Sequence, residues 1–242
     1  MPRRALVLGG GGALGAAVLE QLLASHRFDR VGVLARPALQ PALRGLVPVM
    51  DDLPSITRFG ADTALIVFDR ERHANGRDAA FVGLQPGDLA ARAGELHAAG
   101  VRRLVVVVPH APALLPQALK RGLSTLDEGA VAAMGFDQVV FMRMAQSGGA
   151  AAPPRTLLPG LAHWMLSQLH WLVPQREQPV RSETVARVAA ALAQTLPIAS
   201  PGARVLPPEW LWLAAQGRDA PALMAAWLGG EAPPDAAVRQ RW

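Results

Sequence analysis

Cysteine is absent from the 242-residue chain, which excludes disulfides and thiolate chemistry and agrees with a reducing compartment. Tyrosine is absent as well, so no phenol is available as a proton donor. Of the 24 basic residues, all but Lys120 are arginine, and they are scattered despite a formal net charge of +5. A nucleic-acid partner would call for clustered cations, and this distribution argues against one. No uninterrupted apolar run approaches the ~20 residues of a membrane-spanning helix. The opening "MPRRALVLGG" breaks into glycines where a secretory leader would continue its apolar core, so a cytoplasmic protein is expected.

Hydrophobic residues make up 51% of the chain and charged residues 18%, enough apolar material for a sizeable core at this length. The first half alternates short β-branched runs with Ala/Leu segments, the rhythm of βα units in a parallel sheet. Strands are expected at Ala5–Leu8, Val31–Leu34, Leu46–Met50, Thr63–Phe68, Leu104–Val108 and Gln138–Met142. Their near-continuous hydrophobicity implies helices on both faces. Helices are expected at Ala13–Ser25, Pro86–Ala99, Leu114–Met134 and Ser182–Thr195, with Ser182 accepting a hydrogen bond from a free backbone N–H. The stretch "AQSGGAAAPPRT" interrupts the rhythm, after which come "LAHWMLSQLHWLV" and a proline-punctuated end. The reading is an α/β protein with a doubly wound parallel sheet over residues 1–145. A small, mostly helical C-terminal region, 146–242, packs on the same domain.

The segment "ALVLGGGGALGAAVLEQLLAS" carries the clearest chemistry. Read as Gly9-x-x-Gly12-x-x-Gly15, it has one glycine for the turn off the strand, one for close approach of a pyrophosphate, and one for helix–strand packing. Gly10, Gly11, Ala13 and Leu14 complete the cradle, which faces phosphates with the positive end of the helix dipole. No Gly-Lys-Ser/Thr follows, which disfavours a Walker-type loop. At the end of the second strand, where an NAD site often carries an acid, the chain has Arg36. A guanidinium there favours NADP over NAD by pairing with a 2′-phosphate, although an arginine in an arginine-rich chain also serves as an ordinary surface residue.

With "LGGGGALG", the Arg36 strand end, Asp51–Asp52, Ala61–Asp62, "LHAAGVRRLVVV", "MGFDQVVFMR" and "ETVARVAAAL" in this order, the chain resembles the atypical short-chain dehydrogenase/reductase group. It is most similar to the Tat-interacting-protein-like oxidoreductases and the NmrA-like redox sensors. The likeness runs from Arg4 to Thr195. It implies a Rossmann-like sheet with NAD(P) across the carboxyl ends of the strands, Asp51 or Asp52 near the adenine, and Phe68 with its following loop near the nicotinamide ribose. Active members of the group use a strand-end serine and a Tyr-x-x-x-Lys pair, the tyrosine protonating a carbonyl as hydride arrives. Here those positions read Pro109–His110 and Lys120 to Ser124, so the usual catalytic set is missing. His110, Lys120 and Ser124 are the candidates for replacement chemistry.

The loop "FDRERHANGRD" replaces the small residues that such proteins carry beside the cofactor. Its charges either pair among themselves in solvent or fill the cofactor pocket, and the second case argues against binding. His163 and His170 lack a carboxylate at metal-binding spacing, so no metal is expected. Trp164, Trp171, Trp210, Trp212 and Trp227 fit core or a subunit contact, or a pocket for a flat ligand. Three functions remain open: a non-catalytic nucleotide-binding or redox-sensing protein acting through a protein partner or homodimer, an NAD(P)H-dependent oxidoreductase with unconventional residues, and a structural pseudo-enzyme without nucleotide.

Overall fold

The computed structural model describes residues 3–36, 44–69, 81–110, 126–145 and 181–234. Seven strands form one sheet: β1 (Arg4–Leu8), β2 (Arg30–Ala35), β3 (Leu46–Met50), β4 (Thr63–Val67), β5 (Arg103–His110), β6 (Gln138–Ala145) and β7 (Gly202–Leu206). Their order is β3-β2-β1-β4-β5-β6-β7, and every neighbouring pair is parallel. This is the doubly wound, Rossmann-like arrangement, with the winding direction reversing between β1 and β4. The carboxyl ends of these two strands therefore border the crevice in which such sheets hold ligands.

Alternation along the strands divides the core in two. Ala5 and Val7 of β1, Leu65 and Val67 of β4, and Val105 and Val107 of β5 face one layer. Leu6 and Leu8, Ala64 and Ile66, and Leu104 and Val106 face the other. Both sets are essentially fully buried, as a period of two demands when helices cover both faces of the sheet. One layer contains α1 (Ala13–Ala24), α5 (Ser182–Thr195), α6 (Pro208–Ala215) and α7 (Ala220–Leu228). The other contains α2 (Leu53–Phe59), α3 (Leu89–Ala98) and α4 (Leu126–Ala132). Helix α5 lies against α1 and α7 and across β4 and β5. Its buried face is largely alanine, from Ala186 to Ala193, which permits close helix–helix approach.

Several elements differ from the expectation. β7 was not anticipated: "GARVL" lies between Pro201 and Pro207, and its first two residues are exposed. Pairing with β6, rather than its own hydrophobic pattern, makes it a strand. Helices α2, α6 and α7 were also missed, although local signals mark two of them. Asp52 and Asp219 each accept a hydrogen bond from a first-turn N–H, at Ser55 and Ala222 respectively. Ser182 is a correction: it is the first helical residue of α5, the cap position belongs to Arg181, and no side-chain cap bond forms there. Of the long helix expected over Leu114–Met134, α4 is the described part, and residues 111–125 lie outside the described residues. The helix expected from Pro86 begins with a 3-10 turn, Pro86–Asp88, where Asp88 accepts from the Gln85 N–H before α3 starts.

Candidate functional site

The glycine turn lies at the sheet's reversal point. Gly9 follows β1 with φ of +85°, and a Cβ there would run into the carbonyl oxygen of Val67 on β4. Only glycine meets both conditions, the left-handed backbone and the close approach. Gly15, in the first turn of α1, would drive a Cβ into the carbonyl oxygen of Gly9, so the helix begins hard against the strand it left. A Cβ on Gly10 would come within 2.7 Å of Val33 Cγ2. Gly12 is the cap residue of α1: its carbonyl accepts from the Ala16 N–H at 2.9 Å, but it has no side chain to bond the free N–H groups, and α1 has no acid in its first turn. The positive end of the helix is therefore left without a local acceptor.

The acceptor comes from β4. Two residues past that strand, Asp69 accepts a hydrogen bond through Oδ2 from the Leu14 N–H at 2.8 Å, across a separation of 55 residues. A Cβ on Gly12 would collide with this same carboxylate, so the glycine's missing side chain is what admits it. Of the charged residues in the loop after Phe68, Asp69 is thus bonded at the α1 N-terminus. Arg70 to Asp78 lie outside the described residues.

The chain then returns over the same edge. Phe81 forms an antiparallel bridge with Ala35 at the end of β2, and the Val82 N–H donates to the Leu34 carbonyl at 3.4 Å. Phe81 packs against the α1 layer, while Val82 and Leu84 are buried in the α2–α3 layer. Residues 81–84 thus cross the carboxyl edge of the sheet from one face to the other. The apolar "FVGL" after a charged stretch was the available sequence signal, and it was overlooked.

The other candidates are spread along this edge. Arg36 directly follows β2 and is exposed. Asp52 is engaged as the α2 cap, bonding both the N–H and the hydroxyl of Ser55 at 2.7 and 3.0 Å. Asp51 holds both terminal nitrogens of Arg92 at 2.6 and 3.0 Å, and Arg92 also reaches Glu95 at 2.8 Å. Burial pushes the Arg92 guanidinium down, but hydrogen bonds to Asp51 and Glu95 outweigh it and hold it above the ordinary arginine value. Phe68 is 1% exposed in the α2–α3 layer, and its backbone N–H donates to the Val107 carbonyl. His110 is the last residue of β5, in register with Ala145.

Lys120, Ser124, His163, Trp164, His170 and Trp171 lie outside the described residues. Trp210 is buried in the α1 layer, and Trp212 and Trp227 pack partly buried against it. A buried ion pair not anticipated from sequence joins Glu128 of α4 to Arg143 of β6 at 2.7 Å, with both side chains at most 5% exposed. It stands near the carboxyl end of the sheet, Arg143 being in register with Val108. Among the described residues no group of three or more His, Cys, Asp or Glu side chains could hold a metal ion, and no helix is long and apolar enough to cross a membrane.

No family model matches the chain, and no curated protein matches its sequence. Among solved structures, it is similar to the Citrobacter sp. triphenylmethane reductase complexed with NADP(H), with 14% identity and a TM-score of 0.48 over 96% of this chain and 93% of that one. UDP-glucose 4-epimerase from Brucella ovis in complex with NAD shares 16% identity, with a TM-score of 0.48 over 85% of this chain and 77% of that one. A Rossmann-fold NAD(P)-binding family protein from Shigella flexneri shares 20% identity, with a TM-score of 0.38 over 59% and 67%. The fold class rests on the strand order itself.

Proposed function

We propose that this chain binds a nicotinamide dinucleotide, NADP(H) in preference to NAD(H), and acts without the usual Ser/Tyr/Lys set as a nucleotide-binding or redox-sensing protein. A protein partner or a second copy would read out the bound state. The observation that carries this reading is the glycine turn at the β1/β4 reversal, with Gly9 at positive φ and Gly15 against the Gly9 carbonyl. That backbone brings a helix N-terminus to the crevice with no side-chain cap bond and no acid of its own in the first turn, which suits a pyrophosphate. Gly9 to Gly15 would hold the phosphates, with Arg36 at the 2′-phosphate and the rim around Asp51 and Asp52 beside the adenine. The bound nicotinamide would supply hydride chemistry. Without a tyrosine in the chain, a carbonyl reduced there would need its proton from another group.

A specific observation favours a second reading, the structural pseudo-enzyme: Asp69 sets a carboxylate in the cradle. Titration of NADPH and NADH, followed by tryptophan fluorescence and calorimetry, separates the two. Saturable binding supports the proposal, and none at all leaves the structural reading. Preference for NADPH that survives Arg36→Ala unchanged would refute the assignment of Arg36. Turnover of NADPH over a carbonyl and quinone panel, lost in His110→Ala or Lys120→Ala, would make the protein an oxidoreductase instead.

A further inference from the structure

The crevice already contains two pieces of the chain itself. The Asp69 carboxylate is bonded to the N–H of Leu14 at the start of α1, in the space that the bare Gly12 leaves open. Phe81 to Leu84 cross the edge beside Gly9, Gly10 and Ala35, with Leu84 Cδ1 3.5 Å from where a Cβ on Gly9 would stand and Phe81 Cδ1 3.4 Å from that of Gly10. In a doubly wound sheet the phosphates lie over the first helix and the adenosine half lies toward β2. An anion thus stands in the phosphate half and a strand-like segment on the adenosine side.

Resting on the nucleotide-binding reading above, we infer that Asp69 is an internal competitor for the phosphate cradle. Its carboxylate occupies the anion position at the α1 N-terminus, and a dinucleotide must displace it to bind. The chemistry is direct. A carboxylate at a helix N-terminus gains from the free N–H groups and from the dipole, as a phosphate does. Asp69 is only partly exposed, so two anions in this spot are poorly screened and repel. The Leu14 N–H has one hydrogen to donate, and a phosphate oxygen that takes it must send the carboxylate away. Affinity for the dinucleotide is then the difference between two anions at one helix end, and the side chain that follows β4 sets it.

The test compares the full-length wild type with Asp69→Asn, which keeps an oxygen able to accept from Leu14 but removes the charge. Asp69→Ser is a smaller second variant, and Asp127→Asn is a charge control, because Asp127 is exposed on α4. NADPH and NADH are titrated against each by calorimetry, and circular dichroism establishes that each is folded. The expected result is that Asp69→Asn binds NADPH roughly tenfold tighter than wild type, the factor equivalent to about 1.4 kcal/mol, with Asp127→Asn unchanged. Binding by the Asp69 variants alone, with none by wild type, supports Asp69 as the blocking anion and leaves the native chain with the structural reading. Equal or weaker binding by folded Asp69→Asn and Asp69→Ser overturns the inference and leaves the nucleotide-binding reading standing. No binding by any of the proteins overturns that reading and the inference with it.

Discussion

Gly15→Ala opposes two effects of known size, and the structure decides which one wins. Alanine is the better helix former by about 1 kcal/mol in a helix interior, so on propensity alone the substitution should stabilise α1. The Cβ, however, would meet the Gly9 carbonyl oxygen and come within 2.8 Å of Gly10 Cα and 3.0 Å of Gly10 C. All three are backbone atoms of the turn, and no flexible side chain can yield, so α1 must move away from β1. Overpacking costs about 1–3 kcal/mol, and a clash with three unyielding backbone atoms belongs to the upper part of that range, about 2–3 kcal/mol, leaving a net loss of roughly 1–2 kcal/mol after the propensity gain. For a chain of this size that lowers Tm by roughly 2–8 °C. Gly94→Ala in α3 is the matched control, since nothing lies within 4 Å of its Cβ position, and it should gain about 0.5–1 kcal/mol. Urea unfolding of both variants with a common m-value gives the two signs directly. If Gly15→Ala is as stable as wild type while Gly94→Ala rises, the tight helix–strand contact claimed for the cradle is wrong.

The buried Glu128–Arg143 pair predicts that Glu128→Ala costs about 3–5 kcal/mol, because the guanidinium is left buried beside the missing carboxylate. Adding Arg143→Met should recover part of that loss, and urea curves showing less than about 1 kcal/mol for Glu128→Ala would contradict the assignment. Asp52→Ala should cost about 1 kcal/mol and speed amide exchange across α2, while Asp52→Asn, still able to cap Ser55, should stay within a few tenths of wild type. Asp51→Asn should cost less than about 1 kcal/mol despite the short contacts to Arg92, since both side chains are partly solvated. A larger loss there would mean that the rim pair is more enclosed than its exposure indicates.

Six of the seven strands were legible in sequence, to within a few residues, because five are runs of apolar side chains buried on both faces and the sixth, β3, keeps an apolar run although it is only partly buried at the sheet edge. Gly9 and Gly15 were legible for a related reason: both are required by backbone contacts within one βα unit, and the spacing of the motif records those contacts. β7 was not legible, since its short and half-exposed sequence becomes a strand only through β6. Ser182 shows how a local rule misplaces a cap by one residue when the helix start is settled by the burial of the whole α5 face.

The site followed the same division. Local sequence determined that a helix N-terminus with no capping or acidic side chain of its own would follow β1, and composition determined that no tyrosine could act there. Whether that N-terminus is open was decided by tertiary structure alone. Asp69 is 55 residues from Leu14 in the chain, and only the pairing of β1 with β4 brings its carboxylate to that N–H. A charge in a loop has no address until the sheet gives it one, whereas a glycine turn takes its shape from its own immediate neighbours.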